Sequence, residues 1–134
     1  MTGSSRHLSR RSINALIVGA TAWPCSIAAL SILPTTTIKR LLVSIIEQPG
    51  SAYTIGLAYL DSLPLRTRDA DHLANAIVCA VGCDAGTMRS TEALRKQISI
   101  RVRKDFAEGA VVIVAGWVLS ETEAQLYALA ALST

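Results

Sequence analysis

Residues 111–132 read VVIVAGWVLSETEAQLYALAAL, and the fold class turns on how this stretch is divided. Val111 to Val114 is short and β-branched, which predicts a strand or extended packing segment. Gly116-Trp117-Val118-Leu119 follows, and then Ser120-Glu121-Thr122-Glu123 has the form of a capping box. The Ser120 hydroxyl can accept from the amide of residue 123, while the Glu123 carboxylate reaches back to the amide of residue 120. A final helix should therefore start after Ser120, carrying Ala124, Leu126, Tyr127, Ala128, Leu129, Ala130 and Leu132.

Working back from that stretch, Glu108-Gly109 is a turn that closes a long amphipathic segment. Ser90-Thr91-Glu92 opens it, with acid in the first turn where the helix dipole favours negative charge. Leu94, Ile98, Val102 and Phe106 recur every four residues and predict one apolar stripe. Arg95, Lys96, Arg101, Arg103 and Lys104 cover the other faces and read as a solvated outer surface. Upstream, Asp69 is a candidate N-cap for a helix running to about Cys83, with Leu73, Ala76, Ile77 and Ala80 inward. Two further helices are expected over Ile38 to Gln48 and Ala52 to Leu63, separated by Pro49-Gly50. The sum is a mainly α protein: a small helical bundle with one short extended segment near residues 111–115, preceded by an N-terminal apolar signal or anchor helix.

Composition agrees with helices. Hydrophobic residues make up 51% of the 134, yet aromatics only 4%, so the apolar content is mostly Ala, Leu, Ile and Val. The net charge of +3 is located in the leader: Arg6, Arg10 and Arg11 precede residue 13, and the ten remaining basic residues equal the ten acidic ones. A nucleic-acid-binding domain would keep a basic excess in its folded part, with aromatics for stacking, so nucleic acid is not an expected partner.

Residues 1–12 are polar and basic, and Ile13 to Leu33 contains no charged residue over 21 positions. Ser9-Arg10-Arg11 before a weakly apolar run resembles the twin-arginine export signal, with Ile13 at the position of a large apolar residue; Asn14 departs from the usual leucine. The expected organisation is 1–33 as signal or membrane anchor and 34–134 as a compact helical domain. Two readings of the leader stand side by side. In one, cleavage follows the small-residue site Ala20-Thr21-Ala22. In the other, residues 13–33 stay as a spanning helix with Arg10 and Arg11 on the cytoplasmic side. Either places the body in the periplasm, free or anchored to the inner membrane, after transit through the twin-arginine machinery.

Candidate chemistry is sparse. His72, Cys79 and Cys83 would share one face of a continuous helix and carry side chains that can bind zinc. Only one turn separates the cysteines and no paired CxxC spacing is present, so small buried thiols are the simpler reading and no metal is expected. With Cys25 in or near the leader, Cys79 and Cys83 are the pair to consider for a disulfide after export. No serine stands in a Gly-x-Ser-x-Gly elbow, no Gly-rich phosphate loop occurs, and no catalytic or cofactor-binding residue is assigned. Trp117, with Leu119, reads first as a core plug and second as an anchor on a partner surface, where tryptophan is enriched.

Asp105-Phe106, Gly109, Val111 to Val114 and Gly116 to Ala124, together with the leader, resemble small bacterial proteins that carry a twin-arginine signal. In plan alone, the chain is similar to the small subunits of membrane-bound, flavin-dependent sugar and sugar-acid dehydrogenases. That resemblance implies a non-catalytic accessory subunit that binds, stabilises and helps export a larger periplasmic flavoprotein. Two other readings are a membrane-anchored structural subunit and a small periplasmic enzyme using His72 with Asp69 or Asp71.

Overall fold

The computed structural model describes residues 33–84 and 86–133, so Arg10, Arg11, Cys25 and all but the end of the apolar run lie outside the described residues. The cap expected at Ser120 forms: Ser120 Oγ accepts from the Glu123 amide at 3.0 Å and Glu123 Oε2 accepts from the Ser120 amide at 3.0 Å. The helix it starts, α5 (Glu121–Leu132), is the centre of the bundle, with Ala124, Leu126, Ala128, Leu129 and Ala130 all buried. Its alternation of alanine with leucine fits that position, because small residues let surrounding helices approach on several sides.

Four helices pack around it: α1 (Thr35–Ser44), α2 (Pro49–Ser62), α3 (Ala70–Val81) and α4 (Thr91–Glu108). Short 3-10 turns at Leu65–Thr67 and Thr87–Arg89 connect α2 to α3 and α3 to α4. The helix α2 lies closest to α5, and a Cβ built on Gly56 would collide with the main-chain carbonyl of Tyr127. This explains why the inward residues of α2 are Ala52, Gly56, Tyr59 and Leu60, while Leu57 is exposed. Pro49 sits in the first turn of α2, where its missing N–H has no helical partner to lose. It thus starts α2 rather than merely ending α1, which stops earlier than expected, at Ser44.

Asp69 caps α3, its Oδ2 accepting from the amides of Asp71 and His72 at 3.1 and 3.0 Å. The inward residues are Leu73, Ala74, Ile77 and Val78; Ala76 and Ala80 are only half-buried. Arg68 closes the opposite end of α2, donating from Nε to the Leu63 carbonyl at 2.8 Å and from Nη2 to the Asp61 carbonyl at 3.0 Å. Lys39 ties α1 to α3 through Asp71 at 2.8 Å.

The stripe expected on α4 departs from the structure at its C-terminal end. Leu94 and Ile98 are buried, but Phe106 is 48% exposed and Asp105 is 1% exposed. A repeat of four drifts by about 40° per step on a helix of 3.6 residues per turn, so Phe106 has rotated out while Asp105 has come back under Leu94. Gly109, at φ 73°, ends the helix in the left-handed conformation.

The second departure is in the extended segment. It is a hairpin, not a single strand: β1 (Val111–Val114) pairs antiparallel with β2 (Trp117–Ser120), from Val111 opposite Ser120 to Val114 opposite Trp117. The two-residue loop places Ala115 at φ 48° and Gly116 at φ 86°, the positive pair required by a type I′ turn.

Candidate functional site

The hairpin has two faces, fixed by its register. Val112, Val114 and Leu119 point inward, with Val114 and Leu119 buried among α5, α2 and α4. Val111, Ile113 and Val118 lie on the opposite face, where Ile113 is 63% and Val118 56% exposed. Trp117, opposite Val114 and two residues before Leu119, belongs to the inner face, but it follows the turn directly and is 62% exposed. The two candidates of this stretch therefore separate. Leu119 is a core residue, and Trp117 is a surface residue rather than the core plug favoured from sequence. Trp117 shares the inner face with Val114 and Leu119, but it sits at the tip of the hairpin next to the turn, past the part of that face where Val114 and Leu119 are buried.

Nine consecutive residues, 111–119, carry no charge, and both edges of the two-stranded sheet are unpaired within the described residues. An exposed indole beside the turn, two exposed branched side chains on the outer face and open strand edges make the end of the hairpin apolar on both sides, a feature that soluble proteins keep for interfaces. Its backbone is held in an uncommon state as well, since a left-handed alanine costs about 1 kcal/mol relative to glycine at the same position.

Beneath the patch, Asp105 anchors the hairpin base. Its Oδ2 accepts from the Thr122 amide at 3.1 Å, and its Oδ1 lies 2.7 Å from Nε of Arg101. Neither Oδ1 nor Nε has an aligned hydrogen-bond partner, so that contact is a close ion pair. Sequence reasoning assigned Asp105 no role. The available signal was its place two turns of chain before a capped helix, where a carboxylate can reach orphan amides.

The histidine and cysteine candidates do not assemble. His72 is exposed in the first turn of α3, and its imidazole makes no hydrogen bond or ion pair among the described residues. The helix ends at Val81, Gly82 turns left-handed at φ 68°, and Cys83 falls past that turn, so the shared helical face does not exist. Cys83 is a free, buried thiol, which excludes a disulfide with Cys79; Cys79 is itself engaged elsewhere. Burial first, then the Asp84 carboxylate, pushes the Cys83 thiol up to about 11. A thiol held protonated is a poor nucleophile and a poor metal ligand. No group of three or more His, Cys, Asp or Glu side chains could hold a metal among the described residues. Of the carboxylate pairs, Asp69 is the α3 cap and Asp71 the partner of Lys39, while Glu123 belongs to the capping box of α5. Asp84 accepts from both the amide and the hydroxyl of Thr87, and these bonds lower its pKa.

No helix among the described residues is long and apolar enough to cross a membrane. No known protein family, curated protein or solved structure matches the chain.

Proposed function

We propose that this chain is a non-catalytic accessory subunit that binds, stabilises and helps export a larger periplasmic oxidoreductase. The observation that carries the reading is the apolar end of the hairpin, with Ile113 and Val118 exposed on its outer face and Trp117 exposed beside the turn on the other, above a braced base. Tryptophan in a desolvated pocket is among the strongest anchors an interface can have, and unpaired strand edges add main-chain bonds to a partner's own sheet. The export half of the proposal rests on Arg10 and Arg11. The twin-arginine route moves folded proteins, and a small body whose described residues assemble no group that could hold a metal has more reason to accompany a cofactor-loaded partner than to use the route alone. That the partner is a flavin-dependent dehydrogenase rests on the similarity of plan.

Purification of the tagged full chain from its native host tests this. The expected result is a larger, flavin-bearing subunit in stable proportion. Recovery of the chain alone would contradict it. N-terminal sequencing of the same material decides between a cleaved leader and residues 13–33 retained as an anchor.

A further inference from the structure

The chain has three cysteines, Cys25, Cys79 and Cys83. Cys79, half-buried near the end of α3, is disulfide-bonded. Cys83 is a free thiol, so it is not the partner. Within one chain that leaves Cys25, which lies outside the described residues.

The chemistry of the sulfurs agrees with that elimination. Disulfides form by attack of a thiolate, and the attack needs access. Cys83 is buried and its thiol is pushed up to about 11, so it stays out of exchange. Cys79 keeps part of its surface in solvent. The reach is sufficient as well. Leu33 packs against the core, and α1, which starts at Thr35, lies on α3, where Lys39 meets Asp71 at 2.8 Å. From Cys25 to Leu33 an extended chain spans roughly 26 Å, at about 3.3 Å per residue. That is twice the radius of gyration of about 13 Å expected for a 100-residue domain.

The pairing bears on the fate of the leader. In a retained anchor, residues 13–33 form one helix, and Cys25 lies about 12 Å from its end at about 1.5 Å per residue. That depth is inside a hydrocarbon core about 30 Å thick. The residues around Cys79 belong to water: Asn75 before it and Asp84 after it are both exposed. A sulfur in mid-membrane cannot bond to one there. With cleavage after Ala22, by contrast, the mature chain starts at Trp23 and keeps Cys25.

We propose that Cys79 is cross-linked to Cys25, that the bond forms after export, and that it pins the start of the mature chain to α3 in place of a membrane anchor. The step is thiol–disulfide exchange with a disulfide-bearing oxidant of the periplasm. The oxidant's S–S bond breaks, a bond forms between the two Sγ atoms, and both thiol protons and an electron pair leave on the oxidant as a dithiol. This rests on the export reading for its oxidising compartment, since cytosolic thiols stay reduced. It does not depend on the hairpin or its partner.

The test starts with the full chain, reduced, reoxidised with glutathione disulfide, alkylated and digested for non-reducing peptide mapping. The expected product is one intramolecular link between the peptides of Cys25 and Cys79, with Cys83 alkylated only after denaturation. Oxidation should raise the urea midpoint, because a long loop is closed in the unfolded chain. Cys25→Ser should abolish both the link and that rise. The same map on material from the native host should show the link in a chain that begins at Trp23. A Cys79–Cys83 link, or three alkylated thiols after oxidation, would overturn the proposal. So would a periplasmic chain that lacks Cys25, holds it as a thiol or retains residues 13–22. A link made by glutathione disulfide but absent from unprocessed, cytoplasmic host material would uphold the pairing and count against the export reading instead.

Discussion

The carboxylate of Asp105, near the end of α4, accepts a hydrogen bond from the main-chain amide of Thr122, in the first turn of α5 and 17 residues later. The amides on either side are also satisfied: that of Glu121 donates to the Ala110 carbonyl at 3.0 Å, and that of Glu123 to the Ser120 hydroxyl at 3.0 Å. The first three amides of the central helix are thus closed by three different residues of the α4–hairpin segment. A carboxylate at a helix N-terminus also faces the positive end of the dipole. One buried side chain therefore fixes the base of the hairpin to the start of α5.

Asp105→Ala should cost about 2–4 kcal/mol, because it orphans a buried amide and leaves Arg101 without its close counter-charge. Asp105→Asn, which keeps an acceptor near Thr122, should cost less. Urea denaturation checks both. A double-mutant cycle with Arg101→Met should show coupling above about 1 kcal/mol, since the two side chains touch.

Gly56→Ala should destabilise the fold by about 2–3 kcal/mol, although it adds one methyl group to a helix and improves helix propensity. The reason is the main-chain carbonyl of Tyr127, which cannot move aside without displacing α5. A thermal melt compared with Gly50→Ala, where nothing lies within 4 Å of the added carbon, isolates the packing contribution.

Ala115→Gly should stabilise the chain by about 0.5–1 kcal/mol, since glycine adopts positive φ without the Cβ clash. Gly116→Ala, at φ 86°, should destabilise it by a comparable amount or more. Trp117→Ala should change stability by less than about 0.5 kcal/mol, as expected of an exposed side chain. Denaturant midpoints of the three variants test the assignment of the turn and of the exposed indole together.

Alkaline pH should weaken the fold through Tyr59. Burial first, with Glu121 adding to it, pushes its phenol from 10.0 up to about 12. Between those values the unfolded chain releases a proton that the folded chain keeps, so stability present below pH 10 is lost as pH rises towards 12. The slope for this one group is at most about 1.4 kcal/mol per pH unit. Urea midpoints of wild type and Tyr59→Phe should stay at a constant offset up to about pH 9. Above pH 10 wild type should lose ground to the variant.

The helices and their caps were legible because their signals are local. Asp69, Ser90 and Ser120 each accept from amides two or three residues ahead, and their positions alone marked three helix starts. What depends on distant neighbours was not legible. That α2 turns Gly56 towards α5 and leaves Leu57 exposed depends on a close helix–helix approach that no local pattern marks. Phe106 followed a repeat of four that drifts off the buried face. The hairpin was missed because its loop is Ala-Gly, without the Asn or Asp that usually announces a type I′ turn. Missing β2 also misplaced Trp117, whose exposure depends on its place at the tip of the hairpin beside the turn. For Cys83, a glycine that ends α3 one residue earlier broke the helical face assumed for His72, Cys79 and Cys83.

The central claim is that the exposed apolar end of the hairpin, Trp117 included, docks a larger exported partner. Placing a photo-crosslinking residue at position 117, and in a second strain at the exposed position 92 on α4, tests it in the native host. The account predicts a single adduct from position 117, containing this chain and a larger flavin-bearing subunit, and none from position 92. No adduct at 117, or the same adducts from both positions, would contradict it.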